Sequence, residues 1–273
     1  MAFEHQGNGA LDYFPCRYGK SKLLFRGPRR KLDQPFCAAM GGTETYGKFV
    51  ADPWPALLES RLGIAVVNFG YLNAGIDVFV NEPQMAEASK AAKVTIVQLM
   101  GAQNMSNRYY AVHPRRNDRF LRASNQMRSV FPEVDFTEFN FTRHMLSALR
   151  DRAPDRYELL AQELRNSWTA RMKLLLDRIE GRVALLWLGE YRASAARDGL
   201  GPDPVLVSAE MVAQIRPRVA ELIRVDPSPS ARSMGTAGMC YGELDEPAAA
   251  EMPGPRVHQE VAEALAPVLA RMI

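Results

Sequence analysis

The chain has 273 residues, 47% of them hydrophobic and 24% charged, with a formal net charge of +3. These values predict one globular domain over residues 1–273, and the modest charge without a recognition motif argues against nucleic-acid binding. No apolar stretch is long enough to span a membrane, and the first residues do not have the profile of a secretory signal, so we expect a cytoplasmic protein. Three cysteines and four histidines lie too far apart for a disulfide framework or a zinc site, and no metal or cofactor is expected.

Short apolar runs alternate with helical patterns along the chain. The predicted buried strands are Phe36 to Met40, Ile64 to Phe69, Val94 to Met100, Val183 to Leu188 and Ala220 to Val225. The predicted helices are Pro55 to Leu62, Ile76 to Ala92, Tyr157 to Ile179, Ala209 to Val219 and Val257 to Met272. This alternation predicts an α/β fold with a doubly wound, flavodoxin-like parallel sheet of five strands and right-handed crossovers.

About 80 residues separate the third and fourth predicted strands, which is more than one crossover helix needs. We therefore interpret residues 105–152 as a helical cap inserted over the strand ends. The segment is rich in aromatic residues and arginines, and its Arg115, Arg116 and Arg119 are candidate ligands for phosphate, sulfate or carboxylate groups. Solvated helix surfaces are the alternative explanation for this charge.

A glycine-rich turn, GGTETYG at residues 41–47, follows the first predicted strand. Ligands of open α/β sheets bind at such strand ends. One alternative is a nucleotide-binding P-loop, because Gly42, Gly47 and Lys48 match its skeleton. Phe49, however, occupies the position that should offer a hydroxyl to magnesium, and prolines at 53 and 55 interrupt the helix that should follow.

The turn and residues 66–75, VVNFGYLNAG, resemble the first two blocks of the SGNH hydrolase superfamily, also called GDSL esterases. In that family the first block carries the nucleophilic serine, and the second supplies an N–H to the oxyanion hole. The resemblance implies that Thr43 is the nucleophile, with Thr45 and Gly47 matching and Gly42 replacing the aspartate. Asn73 takes the place of the second block's glycine, which is tolerable because Asn adopts positive φ more readily than most residues.

The two remaining blocks match less well. GAQN at residues 101–104 approximates the third block, which makes Asn104 the candidate oxyanion donor or, alternatively, the cap of the next helix or turn. The family's last block, D-x-x-H-P, supplies the general base and its orienting acid. Counted back from the final helix, its histidine falls near Met252, which cannot accept a proton.

Other residues are therefore candidates for the base. His258 lies about one turn into the final predicted helix, with Asp245 or Glu246 as an orienting acid. His113, in the predicted cap, is a second candidate. The alternative for His258 is an ordinary surface histidine, and His144 is expected to pack rather than react.

The whole chain also looks like a bacterial family of unknown function, which implies no activity. The SGNH resemblance implies an esterase or O-acyltransferase that acts on an acyl substrate, such as a sugar or glycan. The alternative is an inactive SGNH-like protein that binds an anionic glycan or phosphorylated ligand, with Gly42, Thr45 and the cap arginines in contact with it. A third possibility is nucleotide-dependent transfer at the glycine-rich turn.

Overall fold

The computed structural model describes residues 11–192 and 199–273. Its centre is a five-stranded parallel sheet in the order β2-β1-β3-β6-β7, which confirms the predicted α/β fold. The strands of this sheet are β1 (Phe36–Gly41), β2 (Ala65–Gly70), β3 (Thr95–Gln98), β6 (Val183–Leu188) and β7 (Glu221–Val225). The other two strands, β4 (Tyr110–His113) and β5 (Arg116–Ala123), form a separate antiparallel hairpin.

Strand β1 is buried along its whole length and β6 along nearly all of it, which explains why both are continuous apolar runs. Side chains alternate along each strand, so in β1 Ala38 and Met40 belong to one core cluster while Cys37 and Ala39 belong to the other. A polar side chain on either face of such a strand is costly to bury. The run FCAAM was therefore a strong signal for β1.

Helices cover both faces of the sheet. Their bounds are α1 (Thr43–Tyr46), α2 (Trp54–Leu62), α3 (Ile76–Val80), α4 (Pro83–Ala91), α5 (Asn125–Val130), α6 (Thr142–Arg152), α7 (Pro154–Arg178), α8 (Ala209–Ile215), α9 (Pro229–Ser233), α10 (Glu246–Ala249) and α11 (Pro255–Ala270). Helices α2 and α11 pack together on one face, and α3 packs against the long α7 on the other. No helix in the described part of the chain is both long and apolar enough to cross a lipid bilayer.

Two of the predicted helices are interrupted at prolines. The helix predicted over Ile76 to Ala92 is two helices, because α3 ends before Asn81 and α4 starts with Pro83 at its first position. The helix predicted over Ala209 to Val219 ends at Ile215 and continues as a 3₁₀ turn that contains Pro217.

The segment 105–152, predicted as a helical cap, contains the β4–β5 hairpin as well as α5 and α6. Phe141 and Thr142, which lie near its end, line a cavity at the carboxyl ends of the sheet strands. The chain crosses from β1 to β2 on one side and reaches β3 on the other, so the topological switch lies between β1 and β3. Doubly wound sheets bind ligands at such a point.

Candidate functional site

The cavity at the switch point has a volume of about 490 Å³, within the size range of small-molecule sites. Its floor is the glycine-rich turn after β1 and the chain that follows β3. Its walls come from the turn after β2, the hairpin, the start of α6 and the chain after β6. These six parts of the fold therefore meet around one space.

Thr43 lies in this cavity at the first position of α1, directly after Gly42. Its hydroxyl donates a hydrogen bond to Asn73 Oδ1 at 3.2 Å and accepts one from the Asn73 backbone N–H at 2.8 Å. Helix α1 ends at Gly47 in the left-handed conformation, and no helix begins at Lys48. The structure thus lacks the helix on which a P-loop depends.

The turn after β2 holds Asn73 in the left-handed region, with φ of +54°. Two residues further on, the Gly75 N–H donates to Asn117 Oδ1 at 3.0 Å, and Asn117 is fully buried. A Cβ on Gly75 would lie 1.6 Å from the Asn104 carbonyl oxygen, so only glycine allows the two chains to approach this closely. These contacts hold the β4–β5 hairpin and the turn after β3 against the turn that carries Asn73.

The hairpin places Asp118 beside Asn73. The Asn73 Nδ2 atom donates to Asp118 Oδ2 at 3.2 Å, which completes a hydrogen-bonded chain of Thr43, Asn73 and Asp118. Asp118 Oδ1 is buried and accepts no hydrogen bond from any described residue. Burial raises the pKa of the Asp118 carboxyl, although the nearby charges of Arg119 and Arg116 act in the opposite direction.

Glu44, next to Thr43, also lines the cavity. Its carboxyl accepts hydrogen bonds from Gln98 Nε2 at 3.2 Å and from the Tyr191 hydroxyl at 3.3 Å. Burial, and then the negative charge of Asp203, raise the pKa of this carboxyl. Thr45, predicted to contact a ligand, does not line the cavity. Its hydroxyl donates a hydrogen bond to the Gln98 side-chain oxygen beneath the turn.

Two guanidinium groups line the cavity, and both are paired with carboxylates. Arg192 contacts Glu190 at 3.0 Å, Asp203 at 2.8 Å and Glu251 at 2.9 Å. Burial alone would lower the pKa of Arg192, but these carboxylates raise it. Arg143 contacts the other oxygen of Asp203 at 3.3 Å. Little of this positive charge is left for an anionic ligand.

Asn104 and Gln103 line the cavity on the side of β3. Asn104 Oδ1 accepts a hydrogen bond from the Thr142 hydroxyl at 2.8 Å, which orients the amide and leaves its Nδ2 donor without a partner in the described ranges. Gln103 is only 7% exposed, and its Oε1 atom has no hydrogen-bond donor among the described residues. Neither side-chain amide is therefore fully used by the protein itself.

The predicted bases lie elsewhere. His258 is 1% exposed and its Nδ1 atom accepts a hydrogen bond from the Trp54 backbone N–H at 3.1 Å, so it is not the surface residue considered as the alternative. His113 Nδ1 accepts the backbone N–H groups of its own hairpin turn, and Asp245 is exposed. None of the three lines the cavity. Within residues 11–192 and 199–273, no imidazole is hydrogen-bonded to Thr43 Oγ1.

The three cap arginines predicted to bind an anion are exposed and do not line the cavity. Arg119 lies over the ring of Phe141 at 5.4 Å, while Arg115 and Arg116 lie at the tip of the hairpin. Their position follows from the strand pattern, because the hairpin turns its buried Asn117 toward the Asn73 turn and its arginines toward solvent.

Several charged residues that line the cavity were not predicted from the sequence. Asp118 lies between Arg116 and Arg119, in a segment where only His113 and the arginines were predicted to act. Tyr191 and Arg192 come directly after β6, and residues at that end of a parallel strand are expected near the site. That rule would have found them. Asp203 comes later in the same connection, and only the folded chain brings it to Arg192.

The structure is a doubly wound α/β fold with a cavity at its topological switch point. A comparison with protein-family models matches residues 1–273 to the family described as Domain of unknown function (DUF6473), and the chain belongs to that family. A comparison with curated proteins finds no match.

Among solved structures, the chain is similar to a salicylyl-acyltransferase, SsfX3, from a tetracycline biosynthetic pathway. The two share 12% identity with a TM-score of 0.35, and the match covers 92% of this chain and 58% of that one. The chain thus spans little more than half of that protein's length.

Proposed function

We propose that the cavity is the substrate site of an SGNH-like esterase or O-acyltransferase in which Thr43 is the nucleophile. The observation that carries this proposal is the chain of hydrogen bonds from Thr43 Oγ1 through the Asn73 side chain to Asp118, open to a cavity of about 490 Å³. In a nucleophilic enzyme the hydroxyl contacts a group that is itself held by a carboxylate. In this cavity the side-chain amide of Asn73 lies between the Thr43 hydroxyl and the Asp118 carboxyl.

The reaction begins when Thr43 Oγ1 attacks the carbonyl carbon of an ester. An oxyanion forms on the former carbonyl oxygen, and the Asn73 N–H, 2.8 Å from Oγ1, lies within reach of it. The Thr43 N–H and the Asn104 Nδ2 group, which has no partner in the described ranges, are the other proposed donors. The C–O bond then breaks, the alcohol leaves with a proton, and the acyl group remains on Thr43 until water or an acceptor hydroxyl removes it.

The proton of Thr43 leaves through the same chain of hydrogen bonds. Oγ1 gives its proton to Asn73 Oδ1 while Asn73 Nδ2 gives one to Asp118 Oδ2. When the C–O bond breaks, Asn73 Oδ1 passes its proton to the leaving alkoxide and Asp118 returns one to the Asn73 nitrogen, which restores the amide and the carboxylate. An amide passes protons less readily than an imidazole does. We therefore expect slow turnover, because a well-placed general base contributes about 10²–10⁴-fold in rate.

The first test is hydrolysis of short-chain p-nitrophenyl esters. Thr43→Val keeps the branched shape and removes the hydroxyl, so it should abolish turnover, whereas Thr43→Ser should retain it. Asp118→Asn should lower kcat more than KM. Activity that is unchanged in Thr43→Val would refute the proposal.

A second candidate is an SGNH-like protein that binds a ligand in the cavity without turnover. The specific observation in its favour is that no described imidazole contacts Thr43, while Met252 lines the cavity near the position of the family's histidine. This candidate predicts no turnover by the wild-type protein and ligand binding that survives Thr43→Val.

A further inference from the structure

Two residues that line the cavity each carry an acceptor atom without a donor among the described residues. Asp118 Oδ1 and Gln103 Oε1 are both buried, and no described residue donates a hydrogen bond to either. A buried acceptor without a donor costs about 1–3 kcal/mol, so native proteins usually satisfy such atoms. Both residues line the same cavity, and a ligand there can supply the missing donors.

Among the described residues, the ionisable side chains that line the cavity have a negative formal charge. Four carboxyl groups and two guanidinium groups line it within the described ranges; the carboxyl groups belong to Glu44, Asp118, Asp203 and Glu251. Asp203 and Glu251 pair with Arg143 and Arg192, while Glu44 and Asp118 form no ion pair with a described residue.

A ligand with a carboxylate or phosphate would meet these two carboxyl groups, while the guanidinium groups of Arg143 and Arg192 are already paired with carboxylates. Arg116 and Arg119 are exposed outside the cavity, where water and salt screen their charge. The carboxyl groups also do not come together as a cluster of metal ligands in the described residues. An organic cation would therefore complement the unpaired carboxyl groups of Glu44 and Asp118.

The cavity also has an apolar surface beside its polar groups. Phe141 lines it and is 45% exposed. Arg119 lies over the Phe141 ring at 5.4 Å. An exposed ring at a polar cavity suits the C–H face of a ring-shaped, hydroxylated ligand.

We infer that the cavity binds an amine-bearing, hydroxylated small molecule of the amino-sugar type, with its ammonium group at Asp118 and a hydroxyl donor at Gln103. The inference rests on the proposed function only in that both use the same cavity. In an acyl-transfer reaction such a molecule would be the substrate or the acceptor that takes the acyl group.

Three sugars of similar shape test this inference. Glucosamine carries a cation, glucose is neutral and glucuronate carries an anion, so their binding to the full chain can be compared by calorimetry and by saturation-transfer NMR. We expect glucosamine to bind at least about tenfold more tightly than glucuronate, with glucose between them. Glucuronate binding as tightly as glucosamine, or no binding by any of the three at millimolar concentration, would overturn the inference.

Variants locate the interaction. Asp118→Asn should weaken glucosamine binding about tenfold and change glucose binding little, because it removes charge and preserves shape. Gln103→Met should weaken both sugars, and the exposed Arg115→Ala is the control that should change neither. Equal loss of glucosamine and glucose in Asp118→Asn would contradict an ammonium at that residue.

Thr43→Val separates the two proposals. If the inference is right, this variant still prefers glucosamine whether or not the wild-type protein hydrolyses esters. If ester turnover depends on Thr43 but the preference among the sugars is absent, the proposed function stands and the ligand class is wrong.

Discussion

His258 is buried where α11 packs against α2, and this position predicts a specific loss of stability in acid. Burial, together with the charge of Arg26, lowers the pKa of His258 from 6.5 to about 3, although the Pro253 carbonyl has the opposite effect. The Nδ1 atom accepts the Trp54 backbone N–H, which requires the ring to be unprotonated there. The folded state therefore favours the neutral imidazole.

The sign and size of the effect follow from the two pKa values. A lowered folded-state pKa stabilises the protein above the unfolded value of 6.5, and this stability is lost as the pH falls toward about 3. One pH unit in this window corresponds to 1.36 kcal/mol, so between pH 7 and pH 5 the contribution of His258 to the free energy of unfolding falls by about 2 kcal/mol.

Chemical denaturation at pH 5, 6 and 7 measures this difference. His258→Asn keeps an oxygen near the position of Nδ1 and cannot be protonated in this range, so its free energy of unfolding should fall about 2 kcal/mol less than that of the wild type. His144→Asn is the matched control, because His144 is exposed and should leave the pH dependence unchanged. If His258→Asn shows the same pH dependence as the wild type, the reasoning is refuted.

Two further predictions concern the chain segments that hold the site. Gly75→Ala should destabilise the protein by at least about 2 kcal/mol in thermal unfolding, because its Cβ would lie 1.6 Å from the Asn104 carbonyl oxygen; Gly242→Ala, with nothing within 4 Å, should have little effect. Arg26→Met should cost about 3–5 kcal/mol, because the buried guanidinium donates to four backbone carbonyls between the end of α1 and Ala51. The exposed Arg17→Met is its control, and an equal change in both arginine variants would contradict the assigned role.

The fold was predictable because its main signal is local. A strand buried on both faces, such as β1, appears as a continuous apolar run. The five predicted runs correspond to the five strands of the parallel sheet. The break at Pro83 was missed because the apolar period continues across it, although proline favours the first position of a new helix. The β4–β5 hairpin was missed because only some of its residues alternate between buried and exposed.

The site was predictable only where it follows from strand ends. The turns after β1, β2 and β3 supply Thr43, Asn73 and Asn104, and the structure brings all three to one cavity. Asp118 and Asp203 come from long connections, and their places depend on tertiary contacts such as the hydrogen bond of Asn117 to Gly75. A single sequence does not encode those contacts in any local pattern.

In the proposed acyl-transfer reaction, Thr43 carries the acyl group until water or an acceptor hydroxyl removes it. Intact-mass analysis of the protein after brief exposure to p-nitrophenyl acetate tests it directly, with peptide mapping to locate any adduct. We predict one acetyl group on Thr43 in the wild type, one on the serine of Thr43→Ser, and none in Thr43→Val. No adduct in the wild type, or an adduct that persists in Thr43→Val, would contradict the claim.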